Sequence, residues 1–195
     1  MSLFGYFRGH RLLQATRPSV TVFGSARFQE GHPAYALGLQ LGEHCAKAGY
    51  TVVTGGGPGL MEAAARGAKQ AQGRTIGFNI DLPREQKPNL YLDHALTFSR
   101  FSVRKALLLF EPDACFVLPG GIGTLDELFE ALTLVVTGKL RKCPVILINS
   151  VYWRPLLQWI QNTVIHERAL ESSEIDFLHL VDTAEEALTF LKKKC

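Results

Sequence analysis

Short apolar runs that alternate with helical patterns constrain the fold of this chain more than any other feature. Strands are predicted at residues 19–23, 50–54, 75–79, 96–98, 114–118, 144–149 and 178–181. Helices are predicted at residues 32–48, 60–72, 101–110, from about 125 to 136, at 155–168 and at 183–193. Because near-continuous apolar strands separated by helices are typical of a parallel sheet covered on both faces, the pattern predicts an α/β protein with a Rossmann-like, doubly wound sheet in a single domain.

Several residues at the predicted helix ends suggest how these helices begin. Ser99 is a candidate cap for the helix at 101–110, and Pro155 suits the first turn of the helix at 155–168. Thr183 and Glu186 have the spacing of a capping box before the last helix.

Residues 1–18 are predicted to form an amino-terminal arm or helix, followed by one domain at 19–195. The segment contains Arg8, Arg11 and Arg17 and no acidic residue, which would also fit a transit peptide. Its apolar residues favour a docked helix or arm instead.

Charge and cysteine content exclude several classes of protein. The formal net charge of +3 is too small to indicate nucleic acid as a partner, and no apolar run is long enough to span a membrane. None of the 4 cysteines forms a C-x-x-C pair, which argues against zinc and favours a reducing, cytoplasmic setting. The 6 histidines show no metal-ligand spacing, so we expect no metal and no cofactor.

Glycine-rich turns follow three of the predicted strands, at residues 24–27 (GSAR), 55–61 (GGGPGLM) and 119–127 (PGGIGTLDE). Because ligands of open parallel sheets bind beyond the carboxyl ends of the strands, we expect all three turns on one rim. The turn at 119–127 leads from a strand into a helix, where close backbone approach and free N–H groups suit a phosphate. None of the three is a complete dinucleotide fingerprint or a P-loop.

The charged residues near these turns allow two interpretations. Glu127 places a carboxylate beside the phosphate site, but its spacing from Thr124 also fits a capping box. Arg104 and Lys105 could form a solvated basic face, and Glu85 could be an exposed loop residue. Residues 55–59 could simply be a tight turn.

The turns at 55–61 and 119–127, with the Arg104-Lys105 pair between them, closely resemble the LOG ("Lonely Guy") family. The resemblance extends from about residue 20 to 191, and residues 82–89 and 128–139 are most similar to bacterial members. Members of this family are phosphoribohydrolases of cytokinin riboside 5′-monophosphates. They have often been labelled lysine decarboxylases, but the sequence contains no recognisable pyridoxal-phosphate lysine.

The resemblance implies hydrolysis of the N-glycosidic bond of a nucleoside 5′-monophosphate, with a free base and ribose 5-phosphate as products. Glu127 is assigned to stabilise the oxocarbenium-like transition state or to activate water. The family pattern makes Arg104 the second catalytic residue. Because an arginine does not readily release its proton, Arg104 is interpreted as a fixed cation that orients the substrate or Glu127.

The resemblance also implies a substrate-binding set and an oligomer. The 5′-phosphate is expected on the N–H groups of residues 121–124, with Gly57 and Gly59 on the other side. The whole predicted substrate-binding set is Gly24, Ser25, Gly56, Gly57, Gly59, Glu85, Lys105, Gly120, Gly121, Ile122, Gly123, Thr124, Asp126 and Thr133. Family sites lie at a subunit contact, so a homodimer or larger homo-oligomer is expected. The apolar helix at 125–136 could form that contact or the domain core.

Two departures from the plant-type pattern affect the prediction of the base. Residues 101–103 (FSV) replace a Met-His pair followed by one residue, and Asp126 replaces a common glutamate. AMP or another plain monophosphate therefore stands beside a cytokinin nucleotide as a candidate substrate. The alternatives from other classes are a non-catalytic carrier of nucleotide or molybdenum cofactor, and a nucleotide-responsive or DNA-processing relative.

Overall fold

A parallel sheet forms the centre of the molecule, for which we use a computed structural model. The structure describes residues 2–82, 87–141 and 143–192. The strands are β1 (Ser19–Phe23), β2 (Thr51–Thr54), β3 (Thr75–Ile80), β4 (His94–Phe98), β5 (Ala114–Val117), β6 (Val145–Ile148) and β7 (Leu178–Val181). They form a 7-stranded sheet in the order β4-β3-β2-β1-β5-β6-β7, and every pair is parallel.

Helices cover both faces of the sheet. They are α1 (Ser2–Ala15), α2 (Pro33–Lys47), α3 (Leu60–Gln70), α4 (Phe101–Leu108), α5 (Ile122–Val136), α6 (Ser150–Trp159) and α7 (Ala184–Lys192). One apolar core contains Leu13 of α1, Leu107 of α4 and Leu128 of α5, and the other contains Leu41 of α2, Leu60 of α3 and Leu188 of α7. The predicted α/β, doubly wound fold class is therefore confirmed.

The structure confirms the predicted cap of α7 and corrects the predicted cap of α4. The capping box before α7 is confirmed, because Glu186 N–H donates to Thr183 Oγ1 at 3.1 Å and Thr183 N–H donates to Glu186 Oε2 at 3.3 Å. Ser99 is not the cap of α4. That position is taken by Arg100, whose backbone is extended and whose side chain makes no capping hydrogen bond.

The start of α6 differs most from its prediction. A helix at 155–168 was predicted; residues 155–165 are helical, but the predicted start is wrong, because α6 begins at Ser150 and Pro155 lies inside it. Asn149 caps α6, accepting a hydrogen bond from the Tyr152 N–H at 3.1 Å, and Trp153 is buried. The cap and the buried ring place the helix start five residues earlier than the proline suggested. A π-helix at Ile160–Ile165 then continues the segment.

Helix α5 also begins earlier than predicted, at Ile122 rather than near Leu125. Its N-cap is Gly121, which has no side-chain capping bond, so the alternative capping box of Thr124 and Glu127 is wrong. The consequence for the site is that Glu127 lies one and a half turns into α5 with its carboxylate available for another partner.

The strand order reverses between β1 and β5, which are adjacent in the sheet but distant in the chain. The connections on the two sides of this point leave toward opposite edges, so a crevice opens beyond the carboxyl ends of the two strands. The turns at 24–27 and 119–121 follow directly from these strands. Among the described residues, no helix combines the length and apolar character needed to cross a bilayer.

Candidate active site

A crevice of about 590 Å³ opens at the switch point between β1 and β5. The turn after β1 forms one wall, and the amino terminus of α5 forms the other. The lining residues are Gly24, Ser25, Ala26, Arg27, Phe28, Met61, Ile80, Leu82, Phe101, Arg104, Gly121, Ile122, Gly123, Thr124, Glu127 and Tyr152. Its volume is in the range of small-molecule pockets.

A buried ion pair lies in this crevice. Arg104 Nη1 of α4 donates to Glu127 Oε1 of α5 at 2.9 Å, and the two residues are only 7% and 9% exposed. Arg104 Nε also donates to the carbonyl oxygen of Phe78 at 2.7 Å, so the guanidinium is held by two elements. Arg104 is thus not part of a solvated basic face, and it holds the Glu127 carboxylate in one orientation.

The environment of Glu127 makes its carboxyl group unusual. Burial raises its pKa from 4.5 to about 7, although the neighbouring Arg104 charge acts in the opposite direction. Loss of hydration therefore outweighs the ion pair. A carboxyl group with a pKa near neutrality, in a crevice, can accept or donate a proton at physiological pH, which is what a general acid or base requires.

Gly55, at the end of β2, provides the space for the Arg104 guanidinium. A Cβ at this position would lie 2.1 Å from Arg104 Nη2 and 2.7 Å from the Met61 sulfur. A Cβ does not make contacts this short, so any side chain here would move the arginine or the methionine. The first glycine of the turn at 55–61 therefore leaves room for the Arg104–Glu127 pair, although the sequence assigned it no role.

The turn at 119–123 leads into α5 with free backbone N–H groups. Gly121 is the N-cap, and the N–H groups of the first turn of a helix have no partner within it. Thr124 is 4% exposed and packs against Gly120, where a Cβ would lie 2.1 Å from Thr124 Oγ1. Together with the helix dipole, these groups form a site suited to an anion.

The structure brings together eight of the residues predicted for the site. Those lining the crevice are Gly24, Ser25, Arg104, Gly121, Ile122, Gly123, Thr124 and Glu127. Gly120 lies directly beside them through its contact with Thr124. Glu85 lies outside the described residues, so its predicted role stays a prediction.

The glycines of the second turn do not line the crevice, although Met61 at its end does. The side-chain amide of Asn89 donates to the carbonyl oxygens of Gly56 and Gly57, at 3.2 and 3.0 Å. Gly59 caps α3 with a positive φ of 69°, and a Cβ there would lie 2.4 Å from the Ser25 carbonyl oxygen. Gly59 thus packs against the turn after β1, and Gly56 and Gly57 are bound to the segment that contains Asn89.

Lys105 and Asp126 lie beside the crevice rather than on its wall. Lys105 Nζ forms ion pairs with Asp126 Oδ2 at 3.0 Å and with Glu130 of α5. These partners raise the pKa of Lys105 against the opposing effect of burial, which is the largest influence on it. The arrangement joins α4 to α5 through side chains that lie outside the crevice.

Thr133 lies far along α5, where it lines a separate apolar cavity of about 290 Å³. Its hydroxyl donates to the Phe129 carbonyl oxygen at 2.7 Å, within the helix. Phe129 and Trp159 line the same cavity and are 40% and 52% exposed. Within this chain, Thr133 does not reach the crevice.

Sequence reasoning missed several residues that line the crevice. Phe101, Ile80, Leu82 and Met61 provide apolar surface, and Arg27 adds a second cation. Arg27 was recognisable as part of the GSAR turn, but the apolar residues resembled ordinary core positions. Within 2–82, 87–141 and 143–192, no three His, Cys, Asp or Glu side chains are arranged to hold a metal ion.

Comparison with known proteins places these features in a family. A family model described as "possible lysine decarboxylase" matches residues 61–191, which include the Arg104–Glu127 pair. A cytokinin riboside 5′-monophosphate phosphoribohydrolase of Rhodococcoides fascians is 33% identical over 155 residues, which cover 77% of this chain and 77% of that protein. One of the same name from Mycobacterium tuberculosis is 30% identical over 158 residues, covering 78% and 82%.

A solved structure with a different name has a similar architecture. The molybdenum cofactor binding protein of Rippkaea orientalis superposes with a TM-score of 0.67 over 90% of this chain and 96% of that one. Its sequence identity to this chain is 24%. At this level the similarity demonstrates a common fold and nothing about the ligand.

Proposed function

Because this chain belongs to the LOG family, whose model is described as "possible lysine decarboxylase", we propose that it hydrolyses the N-glycosidic bond of a nucleoside 5′-monophosphate. The products are the free base and ribose 5-phosphate. The observation that carries the proposal is the buried Arg104–Glu127 pair, with its 2.9 Å hydrogen bond, beside an anion-binding turn in one crevice.

Decarboxylation of lysine fits the crevice poorly. That reaction commonly uses a pyridoxal-phosphate Schiff base, which requires a lysine at the reacting centre. Among the described residues that line the crevice there is no lysine, and Lys105 is engaged by Asp126 and Glu130 outside it. The glycosidase proposal uses both members of the buried Arg104–Glu127 pair.

In the proposed reaction, the bond between C1′ of the ribose and the base nitrogen breaks as positive charge develops on the sugar. The Glu127 carboxylate stabilises this charge and takes a proton from a water molecule, whose oxygen bonds to C1′. The proton leaves with the base, so one water is consumed for each bond broken. Arg104 keeps its own proton throughout and holds Glu127 in place.

The turn at 119–124 provides the binding energy for the 5′-phosphate. We expect kcat/KM for AMP to exceed that for adenosine by about 100-fold or more, because adenosine leaves the N–H groups of the turn without an anion. Base release from both substrates, followed by chromatography, measures the ratio. Inhibition by ribose 5-phosphate but not by ribose is the matched control, and equal rates on the two substrates would contradict the phosphate site.

The pH dependence of the reaction follows from Glu127. Because burial raises its pKa to about 7, the carboxylate is protonated and inactive in this role below that pH. We therefore expect kcat at saturating AMP to rise with pH through about 7 and then to level off. The phosphate of AMP also titrates, near pH 6. The residual activity of Glu127→Gln is therefore the control, because it retains the titration of the phosphate and should lack the rise of kcat through pH 7. A wild-type profile that falls through pH 7 would assign Glu127 as an acid instead.

The base is proposed to be adenine or an N6-modified adenine. Apolar surface from Ile80, Leu82 and Phe101 lies in the same crevice as the catalytic pair and is suited to a planar base. A panel of nucleoside 5′-monophosphates that includes AMP and N6-isopentenyl-AMP tests the proposal. Faster release from the N6-modified form supports cytokinin activation, and faster release from AMP supports nucleotide degradation. Binding without release from any member would favour a carrier.

We also propose that the protein assembles as a homodimer or larger homo-oligomer in the cytoplasm. The apolar cavity beside Thr133 and the exposed rings of Phe129 and Trp159 support a subunit contact on this side of α5. A contact here would cover apolar surface and would bring Thr133 near a neighbouring subunit.

A further inference from the structure

Tyr152 contacts the turn at 119–124, which is proposed to bind phosphate, from α6. This helix contains none of the three glycine turns. Tyr152 lies in the first turn of α6, which follows β6, the neighbour of β5 in the sheet. Its hydroxyl donates to the carbonyl oxygen of Gly120 at 2.8 Å, and its side chain lines the crevice. The hydrogen bond joins α6 to the part of the chain that is proposed to bind phosphate.

The peptide that Tyr152 holds is flanked by two glycines. It joins Gly120 to Gly121, and neither residue has a Cβ to restrict the backbone. In a trans peptide the carbonyl and the N–H point in opposite directions. A hydrogen bond that holds the Gly120 carbonyl therefore also determines the direction of the Gly121 N–H at the start of α5.

Tyr152 is itself held in a defined position. Asn149 caps α6 with a φ of 89°, in the left-handed region, and accepts a hydrogen bond from the Tyr152 N–H. The next residue, Trp153, is 1% exposed and packs edge-on against the Tyr152 ring, with centroids 5.0 Å apart. Backbone in this region persists where its surroundings demand it, often beside a functional site.

We propose that Tyr152 is a positioning residue for the phosphate site, acting by holding the Gly120–Gly121 peptide in the orientation that directs the N–H groups of residues 121–124 into the crevice. The inference rests on the proposed function in one respect, that the ligand is a phosphate ester. The role of Tyr152 is predicted to be specific for the anion and to leave the bond-breaking step unaffected.

The test compares wild type with Tyr152→Phe, which removes only the hydroxyl. Isothermal titration calorimetry gives the Kd values for inorganic phosphate and adenosine, and for AMP in a Glu127→Gln background, so that AMP is not hydrolysed during the titration. We expect AMP and phosphate to bind on the order of tenfold more weakly to the variant, while adenosine binds equally well to both. For AMP hydrolysis, KM should rise, whereas kcat should stay within about twofold of the wild-type value, because the Arg104–Glu127 pair is untouched.

Tyr35→Phe is a matched control. The Tyr35 hydroxyl donates to Glu62 Oε1 at 3.0 Å between α2 and α3, away from the crevice. This variant also loses one tyrosine hydrogen bond and should retain wild-type affinity for all three ligands. Melting temperatures of both variants separate loss of binding from loss of folding. In NMR spectra, the Gly121 and Gly123 amide shifts on phosphate addition should shrink in Tyr152→Phe.

Two results would overturn the role of Tyr152. One is unchanged phosphate and AMP affinity in Tyr152→Phe, and the other is an equal loss for adenosine, which would indicate general damage to the crevice. Failure of the proposed function looks different, because the wild type would then bind phosphate and still release no base. A wild type that bound neither AMP nor phosphate would overturn both proposals.

Discussion

Replacement of Glu127 by glutamine is expected to reduce the rate of base release from AMP by about 100-fold or more, while AMP still binds. Glutamine has the same shape and can still accept a hydrogen bond from Arg104 at the 2.9 Å contact. It has no negative charge to stabilise the sugar cation and no basic site for the proton of water. The loss should therefore fall on kcat and leave the Kd for AMP similar or lower.

Glu130→Gln provides the control for this prediction. Glu130 lies on α5 close to Glu127 and pairs with Lys105, but it does not line the crevice. The control should keep activity within about twofold of wild type, because it removes a carboxylate without touching the proposed reacting centre. Full activity of Glu127→Gln in single-turnover assays would show that the carboxylate is not part of the chemistry.

Replacement of Arg104 by alanine should damage both activity and stability. The substitution leaves the buried Glu127 carboxylate without its charge partner, and it removes the donor to the Phe78 carbonyl. Breaking a buried pair in this way costs about 3 kcal/mol. For a protein of this size the corresponding fall in Tm is about 6–12 °C. Base release should fall by about 100-fold, because Glu127 is no longer held or kept ionised.

The stability loss in Arg104→Ala should depend on pH in a defined direction. In wild type the folded pKa of Glu127, about 7, already exceeds its ordinary value of 4.5, so the folded state binds the extra proton. Its contribution to stability is therefore fully present below about pH 4.5 and is lost as the pH rises through 7. Without Arg104 the folded pKa rises further, and the variant should lose more stability at pH 8 than at pH 6.

Urea unfolding at the two pH values measures this difference, and Arg100→Ala is the matched control. Arg100 precedes α4 and is exposed, and it does not line the crevice. Its removal should change the free energy of unfolding by less than about 0.5 kcal/mol at either pH. An Arg104→Ala variant as stable as wild type at pH 8 would contradict the buried ion pair.

The prediction of secondary structure succeeded where local patterns decide it and failed where tertiary contacts do. The apolar runs at β1, β5 and β6 were recognisable because strands buried on both faces must be apolar throughout. The start of α6 was not recognisable, because Pro155 has the residue type expected in a first helical turn, whereas Asn149 and the buried Trp153 determine the boundary. Only the folded chain shows that Trp153 is a core residue.

The site was predictable to a similar extent. The turn at 119–124, which is proposed to bind an anion, was evident from glycine spacing, and the resemblance to the LOG family selected Arg104 and Glu127. The same spacing grouped Gly56, Gly57 and Gly59 with the ligand, whereas the structure shows Gly56 and Gly57 bound to Asn89 and Gly59 packed against the turn after β1. The hydrogen bond from Tyr152 had no signal in the sequence, because it joins residues 32 positions apart, one in α6 and the other in the turn before α5.

The sequence alone determined the class of fold, the rim at which the glycine turns lie and the residue types available there. These follow from hydrophobic periodicity and from the short-range chemistry of glycine, which act between neighbours along the chain. The tertiary structure alone decided that Arg104 and Glu127 meet in a buried crevice and that burial raises the pKa of Glu127 to about 7. Burial and the contact of distant residues depend on how the strands are ordered in the sheet. That order places Arg104 and Glu127 in a region of low dielectric, which no local sequence pattern predicts.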